Sequence, residues 1–160
     1  MFIPDLAPDL TFPRLDPTQA NLDFAFAVKR AAMEPHIIKK WAWDEAQQRQ
    51  IHAEHFAEKP FFAIALKGER IGTVSMQSQV SYVRFGEFYL LPDHQCHGIG
   101  ARVLDHCLSI ADEMDVPVRL EYLRWSPVGS LYSRHGFIEA GRSDLNIFLQ
   151  RPAKSVRESA

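Results

Sequence analysis

Little in this 160-residue chain points to nucleic acid, membrane, metal or redox chemistry, and each absence narrows the reading. Lysine and arginine total 18 against 20 aspartates and glutamates, a formal net charge of −2. No basic excess is present to draw a phosphate backbone or an anionic bilayer, so neither nucleic acid nor membrane is an expected partner. No apolar run approaches the roughly 20 residues that span a bilayer. The start, Met1-Phe2-Ile3-Pro4-Asp5, lacks the basic segment and apolar stretch of a secretory signal. Only two cysteines occur, Cys96 and Cys107, at a spacing that matches no metal or redox motif. A cytoplasmic protein with both thiols reduced is the expectation. Internal repeats and low-complexity tracts are also missing. What remains, 46% hydrophobic and 24% charged residues, is the composition of one globular domain large enough for a real core.

The pattern alternates helix and strand signals. Residues 1–9 read as an extended lead-in, and Leu10 to Leu15 as an edge strand that tolerates Pro13. Asp16-Pro17 opens a helix running to about Met33, with Pro35 as its stop. A second helix covers Asp44 to Ala57. Strands follow at Phe61–Leu66 and Ile71–Met76, joined by a Lys67–Arg70 turn, and then at Val83–Leu91. Apolar residues at 99, 103, 107, 110 and 114, flanked by 104, 108 and 111, form a helical stripe that faces a sheet. Strands at Val116–Leu123, Phe137–Ala140 and Leu145–Leu149, with a short helix from Pro127 to Arg134, complete the domain. Residues 151–160 read as a frayed polar tail.

Between the fourth strand and the striped helix lies Gln95-Cys96-His97-Gly98-Ile99-Gly100-Ala101. Strand, polar loop, two glycines and helix build an anion site. Glycine lets backbone N–H groups approach a ligand, and the helix start adds unpaired N–H groups with partial positive charge. Phosphate or pyrophosphate is the first ligand to consider; a tight turn with close packing is the alternative the loop leaves open. The loop is not a P-loop, because Gly-Lys-Ser/Thr does not follow, nor a full dinucleotide fingerprint, because Val103 stands where a third glycine would.

In its wider context, Leu90-Leu91-Pro92-Asp93-His94-Gln95-Cys96-His97-Gly98-Ile99-Gly100 resembles the acyl-CoA motif of the GNAT superfamily of N-acetyltransferases. That motif is a strand, Pro-x-x-Gln/Arg-x-x-Gly-x-Gly/Ala, and a helix. Downstream, Leu131-Tyr132-Ser133-Arg134-His135-Gly136-Phe137 is similar to the family's Leu-Tyr-x-x-x-Gly-Phe. Together the resemblance covers residues 10–150, with 1–9 and 151–160 outside the domain. Two departures stand out. Cys96-His97 occupy the place of a small or basic pair, and Trp125 stands where many members carry an asparagine that contacts pantetheine, leaving Ser126 as its substitute.

The resemblance implies an α/β fold: a mixed, mostly antiparallel sheet of about seven strands with helices on both faces. It implies acetyl-CoA as cosubstrate and transfer of the acetyl group to a primary amine, on a small molecule or a peptide, directly in a ternary complex. Small homodimers are common in the superfamily, and nothing here requires one. A protein N-terminus as acceptor, and a non-catalytic acyl-CoA-binding sensor, are the rival readings.

For the cofactor, the resemblance implies Gln95, Cys96, His97, Gly98, Ile99, Gly100 and Ala101 around the pyrophosphate. Pantetheine would run along the backbone of Phe88, Tyr89, Leu90 and Leu91, with Ser126 and Tyr132 beside it. A backbone N–H near Phe88 would polarise the thioester carbonyl. Tyr132 matches the general acid that protonates the leaving thiolate. Glu87 is the first choice for base, since a strand puts Glu87, Tyr89 and Leu91 on one face; a salt-bridged strand glutamate is the competing reading, and Tyr82 and Glu34 are weaker choices. Trp41 and Trp43 fall in the segment that walls the acceptor site in this superfamily. They can hold a cationic amine by cation–π attraction, with Glu34, Asp44 and Glu45 adding negative charge, or they can simply pack in the core. Lys39 and Lys40 in the same stretch oppose a cation. His52 and His55, beside Glu54 and Glu58, have a metal-like helical spacing without a third ligand, and no metal is expected.

Overall fold

The computed structural model describes residues 1–38 and 44–159, apart from the side chains of residues 37 and 38. Seven strands form one sheet in the order β1-β2-β3-β4-β5-β7-β6. They are β1 (Leu10–Thr11), β2 (Phe61–Leu66), β3 (Glu69–Ser78), β4 (Val83–Leu90), β5 (Val118–Leu123), β6 (Ile138–Arg142) and β7 (Asn146–Arg151). Every neighbouring pair is antiparallel except β4 and β5. The helices are α1 (Gln19–Ile38), α2 (Glu45–Glu58), α3 (Ile99–Met114), α4 (Gly129–Arg134) and α5 (Lys154–Glu158). This is the α/β architecture, mostly antiparallel, that the sequence resemblance implies.

Both faces of the sheet are covered, which explains the unbroken apolar run of β2. Phe62 and Ile64 point into the larger core with Val103, Leu104, Cys107, Leu108 and Ala111 of α3. Phe61 and Ala63 point the other way, against Ala25 of α1 and Phe56 of α2. A strand buried on both sides has no use for polar alternation. The buried face of α3 is centred slightly away from the expected stripe: Met114 at its end is 42% exposed.

Three sequence expectations change. Pro35 sits inside α1 instead of stopping it. A proline removes one hydrogen bond and crowds the preceding turn; here that loss falls in the last turn, while Ala25, Phe26 and Val28 upstream are buried. The first strand shrinks to two residues, though Pro13 to Leu15 still follow β2, with Ala63 N–H donating to Pro13 O and Leu15 N–H to Phe61 O. The supposed frayed tail is ordered. Arg151 makes two bonds to Asp112, of 2.8 and 3.1 Å, and Arg157 makes two more, of 3.0 and 3.1 Å. One carboxylate on α3 thus ties down the last strand and α5.

Gly72 of β3 is required by close approach: a Cβ there would lie 2.3 Å from the Tyr89 carbonyl oxygen. That neighbour is strand backbone and cannot swing away. Gly72→Ala is expected to cost about 2–3 kcal/mol of stability, the range of an overpacked core, read as a lowered denaturant midpoint with unchanged slope.

His52, expected on a surface helix, is 1% exposed. Its ring lies 5.5 Å from Phe26, 6.1 Å from Phe56 and 5.7 Å from Phe61, and neither ring nitrogen has a hydrogen-bond partner. Burial, reinforced by the Lys29 charge, lowers its pKa from 6.5 to about 4. The imidazole is therefore neutral in the fold but takes a proton in the unfolded chain below pH 6.5. Stability is full above that pH and falls as pH drops towards 4, on the order of 3 kcal/mol in all. His52→Leu should flatten the melting-temperature profile over that window; an unchanged profile would remove His52 as its source.

Candidate active site

The sheet comes apart at its centre. β4 and β5 run parallel but pair only at Val83–Val118 and Arg84–Arg119, and beyond these residues the strands diverge. On its other side β4 stays bonded to β3 as far as Leu90, and Leu91 N–H donates to Ile71 O. Backbone groups alternate sides along a strand, so those of Tyr89 and Leu91 serve β3 while those of Phe88 and Leu90 turn towards the gap. The Leu91 N–H, expected to serve a cofactor, is thereby committed to the sheet. In the gap, the Leu90 carbonyl accepts from Gln95 Nε2 at 2.8 Å.

A bulge aims Glu87. Thr73 pairs with Tyr89 and Ser75 with Gly86, so Val74 alone faces two residues, Glu87 and Phe88. Glu87 takes φ 47°, and its carbonyl accepts from Thr73 Oγ1 at 2.9 Å. The extra residue reverses the strand's parity. Before it, Val83 and Phe85 face the α3 core; after it, Phe88 and Leu90 do. Glu87 and Tyr89 are left together on the opposite face, in the wall of a cleft of about 670 Å³ bounded also by α1, α2, β5 and β7.

The Glu87 carboxylate is buried and surrounded by cations. Lys59 Nζ donates to Oε1 at 3.0 Å, with 9% of the lysine side chain exposed. His55 Nδ1, one turn earlier on α2, lies 3.1 Å from the same oxygen, without hydrogen-bond alignment. Oε2 has no partner. Burial alone would raise the pKa, but His55 and the charges of Lys59 and Lys29 prevail and bring it to about 2. Such a carboxylate is a fixed negative charge with little affinity for a proton. Beside it, burial and the Glu87 charge raise the Tyr89 phenol well above its usual 10, which keeps the hydroxyl protonated.

At the open end of the gap, β4 runs into a 3-10 turn, Pro92–His94, and the glycine loop. Cys96 and Gly98 have φ of 63° and 80°, and Gly98 caps α3. The first-turn N–H groups of Ile99, Gly100 and Ala101 have no acceptor within the helix. Open space surrounds Gly98, and Cys96 and His97 are exposed. The backbone therefore presents a row of donors, and the two unusual side chains stand outside it. This fits an anionic group such as pyrophosphate.

The other sequence candidates are scattered. Tyr132 of α4 is 5% exposed, its ring 5.9 Å from Tyr122 and 5.5 Å from Phe137. It belongs to the core beneath the splay and does not line the cleft, though Tyr122 does. Burial, then Tyr122, raises its pKa, so it too stays protonated. Ser126 lies in the turn after β5, its N–H donating to Leu123 O. Glu34 is bound by Arg30 at 3.0 Å, and Glu45 by the same arginine at 2.7 Å. Asp44 caps α2 through Gln47 N–H. The acids proposed to attract a cationic acceptor are thus engaged elsewhere. Trp41 and Trp43 lie outside the described residues. Sequence reasoning missed Lys29, and it weighed His55 only as a metal ligand; the spacing of His55 and Lys59, four residues apart at the end of α2, was the available signal. Among the described residues no group of side chains has a metal-binding arrangement, and no helix is long and apolar enough to cross a membrane.

A parallel pair that splays beside a glycine loop, with a buried charge cluster on the cleft side, leaves a groove next to an anion-binding loop. Residues 57–139, just over half of the chain, match the acetyltransferase (GNAT) domain family, and the chain belongs to that family. No curated protein matches it. Among solved structures it is similar to the PaiA N-acetyltransferase of Thermoplasma acidophilum in complex with coenzyme A, at 16% identity and TM-score 0.70 over 89% of this chain and 98% of that one. It is also similar to the ribosomal-protein-S18-alanine N-acetyltransferase of Escherichia coli, at 18% identity and TM-score 0.64 over 90% and 94%. These likenesses establish the fold. The chain is an acyl-CoA-dependent acetyltransferase domain, with acetyl-CoA as the cosubstrate.

Proposed function

We propose that the protein acetylates a primary amine by direct transfer from acetyl-CoA, with the amine entering the cleft on the Glu87 side of the β4–β5 gap. The observation that carries this reading is the alignment of three features along one strand end: the Phe88 and Leu90 backbone groups turned to the gap and unpaired with β5, the donor-lined loop at 96–101, and the Glu87–His55 pair facing the cleft. The loop N–H groups hold the pyrophosphate, and the β4 edge pairs with the pantetheine amides as a strand would. Ser126 flanks that arm. The Phe88 N–H receives the thioester oxygen as it gains charge.

With its pKa near 2, Glu87 is a poor proton acceptor at neutral pH. His55 lines the same cleft, and we assign it the base: it takes the amine proton while the Glu87 carboxylate, 3.1 Å away, offsets the charge it gains. The nearby ammonium of Lys59 also disfavours a charged amine. Tyr132, kept protonated by burial, donates to the leaving thiolate.

The test is steady-state kinetics with an amine panel, following thiol release and the acetylated product by mass spectrometry. Intersecting double-reciprocal lines are expected; parallel lines would mean a covalent acetyl-enzyme and contradict direct transfer. Acetyl-CoA binding with no turnover on any amine would replace this reading with that of a sensor. Tyr132→Phe should lower kcat by about 100-fold with acetyl-CoA affinity kept, the scale of one acid group; unchanged turnover would remove Tyr132 from the chemistry.

A further inference from the structure

The acceptor cleft carries more positive than negative charge. Lys29, Lys59, Arg84 and Arg119 line it against Glu87 and Glu121. Lys59 is matched by Glu87, and Arg119 leans on the Tyr82 ring at 4.2 Å and donates to Gln150 at 3.0 Å. Lys29 is different. It stands on α1 and is 5% exposed, yet it has no hydrogen bond or ion pair among the described residues. It feels Glu87 and Lys59 through space, and burial lowers its pKa. A lysine nine-tenths buried normally has a counter-charge in contact, because an unpaired buried cation is strongly destabilising. The obvious counter-charge, Glu87, turns Oε1 to Lys59 and His55 instead.

On the premise that the cleft acetylates an amine, we propose that the acceptor carries its own anionic group, a carboxylate or a phosphate, which Lys29 receives. The amine of such a compound lies a few bonds from its anion, close enough for both to reach the cluster at once: the anion at Lys29, the amine at the His55 side. A polycationic amine is the wrong partner for this wall. The acids outside the cleft cannot help it, because Arg30 holds Glu34 and Glu45 and the α2 N-terminus holds Asp44.

The experiment compares matched acceptors with saturating acetyl-CoA: α-amino acids beside their carboxamides, phosphoethanolamine beside ethanolamine, and spermidine. In the native protein, kcat/KM should favour the anionic member of a pair at least tenfold, and the pair showing this identifies carboxylate or phosphate. Lys29→Met should cut kcat/KM for the anionic member about 10- to 100-fold more than for its neutral twin, the scale of one charge-assisted hydrogen bond. Lys29→Arg should keep the preference. Preference for spermidine or for the neutral twins overturns the proposal, as does an equal loss on both members in Lys29→Met, which would make Lys29 structural or a base. Thermal shift by the same pairs with CoA present gives a readout independent of turnover. Selective binding of the anionic members without acetyl transfer would sink the proposed activity and leave this inference standing; transfer without selectivity does the reverse.

Discussion

His55→Ala lowers kcat by about 100- to 1,000-fold with acetyl-CoA affinity unchanged, the scale of a positioned general base. The expectation rests on which group near the acceptor can hold a proton. Glu87 is buried and pulled to about 2 by its partners, so it is ionised and a weak acceptor at neutral pH. Tyr89 beside it stays protonated and can only donate. The His55 imidazole remains, with 35% of its side chain exposed in the cleft wall and Nδ1 3.1 Å from the fixed carboxylate. Added imidazole should restore part of the lost rate in His55→Ala, because the vacated ring site adjoins open space. A variant with native kcat, or one that imidazole cannot rescue, would return the base role to water or to Glu87.

Glu87→Gln destabilises the fold by about 3–5 kcal/mol, the cost of breaking a buried ion pair by removing one partner. Lys29 and the largely buried ammonium of Lys59 would be left without the anion between them. The same charge sets an acid limit. Because the folded pKa lies below the ordinary 4.5, the stabilisation is present above about pH 4.5 and is lost as pH falls towards 2. His52 acts earlier, between 6.5 and about 4, so acid unfolding should proceed in two overlapping steps. In Glu87→Gln the lower step disappears while the upper one survives. Urea titration across pH measures both, and native stability at neutral pH in Glu87→Gln would show that the pair contributes little. Such a loss also bears on function, since it frees the His55 ring from its carboxylate.

The geometry of the glycine loop, the half of the candidate site proposed for the cofactor, was legible in the sequence because backbone geometry writes itself in residue type. Gly98 has positive φ, a Cβ at Gly100 would lie 3.6 Å from Leu90 Cδ1, and Pro92 follows the strand; each leaves a mark in the order of letters. The acceptor half was not, for physical reasons that differ from residue to residue. Glu87 reaches the cleft through a bulge in which a glutamate, not a glycine, takes positive φ, and no pattern marks it. α2 reads as a polar surface helix, so His52 among three phenylalanine rings and His55 against Glu87 became visible only once α1 and β2 were in place. Lys29 looked like an ordinary helix lysine. The Asp112 clamp on Arg151 and Arg157 joins residues about forty positions apart, which local reading cannot connect. The acidic residues chosen for an amine site were real charges already spent on Arg30 and on a helix cap.

The most direct measurement is a crystal structure of the protein with CoA and an amino acid. The account predicts the pyrophosphate against the backbone of 96–101, pantetheine along Phe88 and Leu90 in the β4–β5 gap, and the amine between the thiol and His55. Pantetheine outside that gap, or an amine bound away from the Glu87 wall, would contradict it.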